Sequence, residues 1–210
     1  MMTGRSRSHT LPGVVLAGGL SRRMGQSKGA ALLAGKPMLD HIIARLLPQV
    51  CTLAINSSHL SHPDFPTIAD SVADQPGPLA GIARAMQFAQ KVPDASHVLT
   101  VPVDTPFLPH DLATTLLDAL PGKETVVLAR SNGRAHPVIG LWPVTLAEEI
   151  TLWLKNPQNR KLMVFLQTLN VVSVDFDAIE TAIGPLDPFF NVNTPDDLAQ
   201  AEHYLKALQS

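Results

Sequence analysis

Short runs of β-branched and aliphatic residues alternate along this chain with longer stretches of helical periodicity. That alternation restricts the fold to α/β, with βαβ units on a mainly parallel sheet. VVLA (14–17), TLAIN (52–56), TIAD (67–70), HVLTVPVD (97–104) and TVVLAR (125–130) read as strands. Between the first two, KPMLDHIIARLLPQV places Met38, Leu39, Ile42, Ile43, Leu46 and Leu47 on one face at helical spacing, a stripe that reads as core. PLAGIARAMQFAQK and PHDLATTLLDAL predict further helices. Beyond Arg130 the order loosens, with HPVIGLWP and VVSVDF as strands and TLAEEITLWL and RKLMVFLQTL as helices. TPDDL announces the last helix: Thr194 can cap, Pro195 fits the first helical position, and Asp197 lies three residues after the cap.

The chain of 210 residues is long enough for one substantial core, so 13–210 is expected to form a single domain behind a polar, basic, frayed start at 1–12. Hydrophobic residues at 45% and charged residues at 16% argue against a disordered chain. A net charge of -2 leaves no footprint for a polyanion, so nucleic acid is not an expected partner. One cysteine, Cys51, excludes an internal disulfide framework and a Cys-based zinc site, and it fits a reducing compartment such as the cytoplasm. The start lacks the apolar stretch of a signal peptide, and no segment approaches the ~18 consecutive apolar residues of a membrane span, so no membrane association is expected.

In an open α/β sheet the ligand crevice lies at the carboxyl ends of the strands. The ends here carry Gly18 and Gly19, Asn56, Asp70 and Asp104, and a short FFNVN run, which reads as one more strand end, carries Asn191 and Asn193. Two glycines let backbone amides approach phosphate, and Arg22, Arg23 and Lys28 could neutralise its charge; the alternative is a plain strand-to-turn exit. Neither GxxxxGK[ST] nor GxGxxG is present. Asp104 could hold magnesium, which needs only one or two carboxylates beside substrate phosphates, or it could cap a helix beginning near Pro109. Asp70 could accept from the N1 and N2 edge of guanine, with Asp74 an equal candidate on chemistry alone. PGPLAG reads as a tight turn into a helix, whose small residues would also admit a base or sugar. His136, beside Arg134, could meet an acceptor's phosphate or be a strand-edge residue. No HExxH pair and no serine with an evident base and orienter are found.

LAGGLSRRMGQSKG, strand-end Asn56 and Asp70, PGPLAG, VPVDTPFLP and FFNVNTPDDLA follow one another in that order. Together they resemble the nucleotidyltransferases with a LAGGxSxRMG-type loop. PGPLAG, DTPF and NVNTP in series make the chain similar to the molybdenum cofactor guanylyltransferase family, from about Gly13 to the last helix. The resemblance implies a three-layer α/β/α fold with a Rossmann-like sheet of the nucleotide-diphospho-sugar transferase type. It implies that Leu16, Ala17, Gly18, Gly19, Lys28, Asn56, Asp70 and Asp104 bind GTP, with Asp104 also holding Mg2+. Lys28, Arg22, Arg23 and Asp104 would serve catalysis, and Asn191, Asn193 and His136 would lie near the pterin substrate or the metal.

The implied reaction transfers GMP to the terminal phosphate of molybdenum-molybdopterin, with transient contacts to molybdopterin-delivering proteins and acceptor molybdoenzymes. Two departures stand out: Ser27 precedes Lys28 where many relatives carry an acidic residue, and Val103 precedes Asp104 where cysteine is frequent. A cytidylyl enzyme acting on the same pterin and a non-catalytic pterin carrier are the rival readings.

Overall fold

The structure is a computed structural model and describes residues 10–18, 28–69, 77–156, 158–159 and 161–209. Residues 1–9 of the expected frayed start lie outside that set, whereas Leu11 is buried and Pro12 already opens the first strand. In chain order the strands are β1 (Pro12–Leu16), β2 (Leu32–Leu33), β3 (Lys36–Pro37), β4 (Thr52–Asn56), β5 (Thr67–Ile68), β6 (His97–Pro102), β7 (Val126–Ser131), β8 (Arg134–Pro143) and β9 (Val171–Asp175). The α-helices are α1 (Met38–Leu46), α2 (Pro78–Ala89), α3 (Leu112–Asp118), α4 (Ala147–Trp153), α5 (Leu162–Leu166) and α6 (Pro195–Ala207).

Seven strands form one sheet in the order β5-β4-β1-β6-β8-β7-β9, and β2 and β3 make a separate antiparallel ribbon. The expected mainly parallel sheet is present: β1 pairs parallel with β4 and β6, β4 with β5, and β7 with β9. Strand β8 alone runs antiparallel to its neighbours β6 and β7. It follows β7 through Asn132 and Gly133, whose φ values of 49° and 73° suit the two central residues of a tight hairpin turn, and a hairpin forces antiparallel pairing.

Side-chain alternation along each strand separates two cores, as a sheet covered on both faces requires. Val15, Leu53, Ile55, Leu99, Val101 and Val127 meet α1 and α3 on one face. Val14, Ala54, Val98, Val126 and Trp142 meet α2, α4 and α5 on the other. These helices and the sheet are the three expected layers. A third cluster, with Met38, Phe107, Leu186, Val192 and Ala201, seats α6 and the segment before it on the end of α1.

Several boundaries differ from the sequence reading. FFNVN is not a strand, because the residues spend their polar groups on the site described below rather than on a ladder. The helix expected from Pro109 begins at Leu112 after Asp111, so Asp104 does not cap it. Strand β6 stops at Pro102, which leaves Val103 and Asp104 in a turn, and β5 covers only the first half of TIAD. Val144–Leu146 form a 3-10 turn ahead of α4. Cys51, exposed at the start of β4, donates its backbone N–H to the Leu11 carbonyl.

Candidate active site

The order of the sheet creates the crevice. From β1 the chain passes by α1 on one face to β4, and from β5 it returns by α2 on the other face to β6. Strand β1 therefore has its neighbours on opposite sides, the switch point at which open α/β sheets bind ligands. Leu16 is level with Asn56 of β4 and with Pro102 of β6, so the segments leaving all three strands start from one line.

The 3-10 turn Lys28–Ala30 puts a cation at this edge. The Lys28 ammonium donates to Asp104 Oδ2 at 2.6 Å and also to Asn193 Oδ1. The turn can lie this close only because Gly29 lacks a side chain: a Cβ there would meet Leu60 at 2.5 Å and Val103 at 3.1 Å. Asn191 faces Asp104 from the other side. Its amide nitrogen lies 2.7 and 2.8 Å from the two carboxylate oxygens when turned to donate, the orientation that pairs a donor with an acceptor. The Val192 N–H donates to the Asp104 carbonyl at 2.8 Å, so Asp104 is tied by main chain and side chain to the 191–193 segment.

That segment is fixed in turn by the start of α6. Asp197 Oδ2 accepts from the N–H groups of Asn193 and Thr194, both at 2.9 Å, and Thr194 Oγ1 accepts from the Asp197 N–H at 3.1 Å, completing the capping box. The Asn193 N–H above all, then Thr194 and the nearby Lys28 charge, hold the Asp197 carboxyl below its ordinary range against some desolvation. Asp197 keeps its charge in the mechanism's pH range and sets the backbone that aims Asn193.

The structure thus unites Lys28, Asp104, Asn191 and Asn193, drawn from three distant parts of the sequence. Asn56 stands at the same edge, but its side chain is buried. Its Nδ2 donates to the Ile68 carbonyl at 3.0 Å, and a Cβ on Gly81 would lie 2.6 Å from its Oδ1. It therefore binds β4 to β5 and packs under the first turns of α2. The Ala17 N–H is spent on the Asn56 carbonyl at 2.8 Å, and the Leu16 carbonyl accepts from Val103 at 3.1 Å. Gly18, the next residue, is exposed. Gly77, at φ 82°, turns the chain into α2 ahead of Pro78 at the first helical position, as PGPLAG suggested.

His136 sits on β8 and is half-buried; it reaches Ser131 Oγ at 2.7 Å and packs on Phe189 at a ring separation of 4.8 Å. Its link to the Lys28 group runs through the segment that follows Phe189. Gly19, Arg22, Arg23, Ser27, Asp70 and Asp74 lie outside the described residues. Sequence reasoning passes over Ser131 and Asn132, at the end of β7 and in the turn after it, and over Asp187, through which they hold that segment. The dipeptide NG in SNGR, a strong hairpin signal, could have located the first two. Asp187 carries no comparable local mark.

Asp104 and the side-chain amide oxygen of Asn193 are hard oxygen donors that already support a positive charge, the Lys28 ammonium. Such a set fits a divalent cation that takes its other ligands from phosphates and water. Among the described residues no group of three or more His, Cys, Asp or Glu side chains gathers as an all-protein metal site.

A family model described as the MobA-like NTP transferase domain matches residues 13–171. A molybdenum cofactor guanylyltransferase of Sinorhizobium fredii is 45% identical over 214 residues, covering 100% of this chain and 98% of that protein. The chain belongs to the molybdenum cofactor guanylyltransferase family. A second family member, from Rhizobium leguminosarum bv. trifolii, is 45% identical over 207 residues, covering 99% of this chain and 97% of that protein. The fold is shared with the molybdopterin-guanine dinucleotide biosynthesis protein A of Archaeoglobus fulgidus: the TM-score is 0.71 at 21% identity, with 93% of this chain and 98% of that one covered. Nucleotidyltransferases of this family generally use a divalent metal. No helix among the described residues is long and apolar enough to cross a membrane.

Proposed function

We propose that this family member transfers GMP from GTP to the terminal phosphate of molybdenum-bound molybdopterin, giving the guanine dinucleotide cofactor and pyrophosphate, in the cytoplasm. The observation that carries the reading is the meeting of Lys28, Asp104, Asn191 and Asn193 at the switch-point crevice. A phosphate oxygen of the pterin forms a bond to the α-phosphorus of GTP, and the bond from that phosphorus to the bridging oxygen breaks. The electron pair leaves with pyrophosphate.

The attacking oxygen is already anionic, so no side chain has to remove a proton. The protein's task is alignment and charge. Lys28 neutralises phosphate charge as it builds, after exchanging Asp104 and Asn193 for phosphate oxygens. Arg22 and Arg23 follow β1 in sequence and add to that charge, while Gly18 and Gly19 offer amides. Asp104 and Asn193 would hold Mg2+, which neutralises the triphosphate and polarises the α-phosphorus when bound. Asn191 orients the Asp104 carboxylate. Asp70, just past β5, would read the guanine edge, and Asn56 fixes the strand pair that leads to it.

The test is incubation with Mg2+, molybdenum-molybdopterin and GTP or CTP in separate reactions. Pyrophosphate release with GTP and little with CTP is expected. Release with CTP alone overturns the nucleotide assignment, and pterin binding without pyrophosphate from either nucleotide leaves a carrier.

A further inference from the structure

Asp187 lies outside the Lys28 group, yet it collects hydrogen bonds from three other residues. Its Oδ1 accepts from Ser131 Oγ at 2.7 Å and from the Phe189 N–H at 2.9 Å, and its Oδ2 accepts from Asn132 Nδ2 at 3.1 Å. Ser131 is 2% exposed and Phe189 is also 2% exposed, so two of the three contacts are with buried residues. An ionised carboxylate only accepts, hence the one Ser131 hydroxyl proton points to Asp187. The Ser131 oxygen must then receive from His136 Nε2, 2.7 Å away, which puts a proton on Nε2 of that ring. Burial favours the neutral ring and Arg134 adds to that preference, while the charge of Asp187 opposes it.

The same segment continues within four residues into the site. Phe189 packs between His136 and Phe176, with ring separations of 4.8 and 5.2 Å, the Phe190 N–H donates to the Asp187 carbonyl at 2.9 Å, and Asn191 and Val192 then meet Asp104. We propose that Asp187 is a positioning residue: anchored to the β7–β8 hairpin through Ser131 and Asn132, it fixes the origin of the segment whose Asn191 and Asn193 meet Asp104 and Lys28. The opposite end is anchored by Asp197, so this segment is held at both ends and its two asparagines project between fixed points. The proposal rests on the proposed function only for its activity readout.

The experiment compares Asp187→Ala with Asp187→Asn in the full chain. The asparagine can still accept at Oδ1 from Ser131 and Phe189, and Asn132 can turn its amide to face the new nitrogen. Two readouts are used: Mn2+ binding to the free protein by electron paramagnetic resonance, and steady-state GTP turnover. For Asp187→Ala, Mn2+ affinity and kcat are each expected to fall about 10-fold or more, the usual cost of losing a group that orients a ligand, with KM for GTP near wild type. Asp187→Asn is expected to recover most of both losses. Ser131→Ala, which removes one hydroxyl, repeats the direction of Asp187→Ala in a variant with little risk to folding.

Wild-type behaviour of both Asp187→Ala and Ser131→Ala overturns the proposal, and so does failure of Asp187→Asn to recover either readout. If wild type releases no pyrophosphate from GTP while the Mn2+ contrast persists, the proposed reaction falls and the positioning role stands.

Discussion

Lys28 holds the two oxygens that a metal would take. Its ammonium neutralises the largely buried Asp104 carboxylate, whose side chain is 12% exposed. On the proposed function, a divalent cation and the ammonium would compete for Asp104. Lys28→Met is expected to lower turnover by roughly 10² to 10³, the range for removing one transition-state donor. The same change should tighten Mn2+ binding to the free protein, as a Mn2+ titration would show. Unchanged or weaker Mn2+ binding would contradict the competition. Asp104→Ala is expected to abolish turnover and Mn2+ binding together.

At the scale of single elements, helices α2 and α6 each brace the site by their first turns. Gly81→Ala should favour helix α2 by about 1 kcal/mol from propensity alone. The added Cβ would nevertheless sit 2.6 Å from Asn56 Oδ1 and 3.2 Å from Leu16 Cδ2. The expected result is a higher KM for GTP with a melting temperature near wild type, a split that kinetics and calorimetry together reveal. At α6, Thr194→Ala should cost about 1 kcal/mol through the lost cap, measured by chemical denaturation.

Acid acts on the same cap. The Asp197 carboxyl is held below its ordinary value of 3.8, so its stabilising contribution is complete above that pH and fades as the pH falls through the lower folded value. Wild type should therefore lose more stability below about pH 3.8 than Asp197→Asn does, in denaturation curves recorded across that range.

These elements also show what a linear reading can deliver. Parallel strands put their chemistry at the carboxyl ends, so Gly18, Asn56 and Asp104 could be nominated from position alone, and TPDDL gave the α6 cap directly. FFNVN imitates a strand through its alternation of apolar and amide residues, whereas Asn191 meets Asp104 and Asn193 meets Lys28, the latter across 165 residues. Asn56 stands at the strand end where its position in the sequence puts it, and its packing under Gly81 depends on a helix placement that no local pattern encodes. Ser131 and Asp187 meet across 56 residues, and only Ser131, beside the hairpin dipeptide NG, carries a local mark.

On the scale of the whole molecule, the sheet separates two apolar cores. Leu116→Ala on the α3 face and Phe165→Ala on the α5 face should each cost about 2–5 kcal/mol. With the sheet between them, the double variant should show the sum within ~0.5 kcal/mol. We propose that 13–210 unfolds as a single domain, so calorimetry should show one transition for wild type and for both variants. Two resolved transitions would divide the chain.

The lone thiol occupies the far pole of the same sheet. Cys51 is exposed at the beginning of β4, and the five residues of that strand, at about 3.3 Å each, separate it from the crevice edge at Asn56. Desolvation raises its thiol pKa, so a maleimide dye will couple best in mildly alkaline buffer. The molecule thus carries a built-in attachment point remote from its chemistry: a fluorophore there should report the arrival of a dye-labelled nucleotide by energy transfer while turnover of GTP stays at the unlabelled rate.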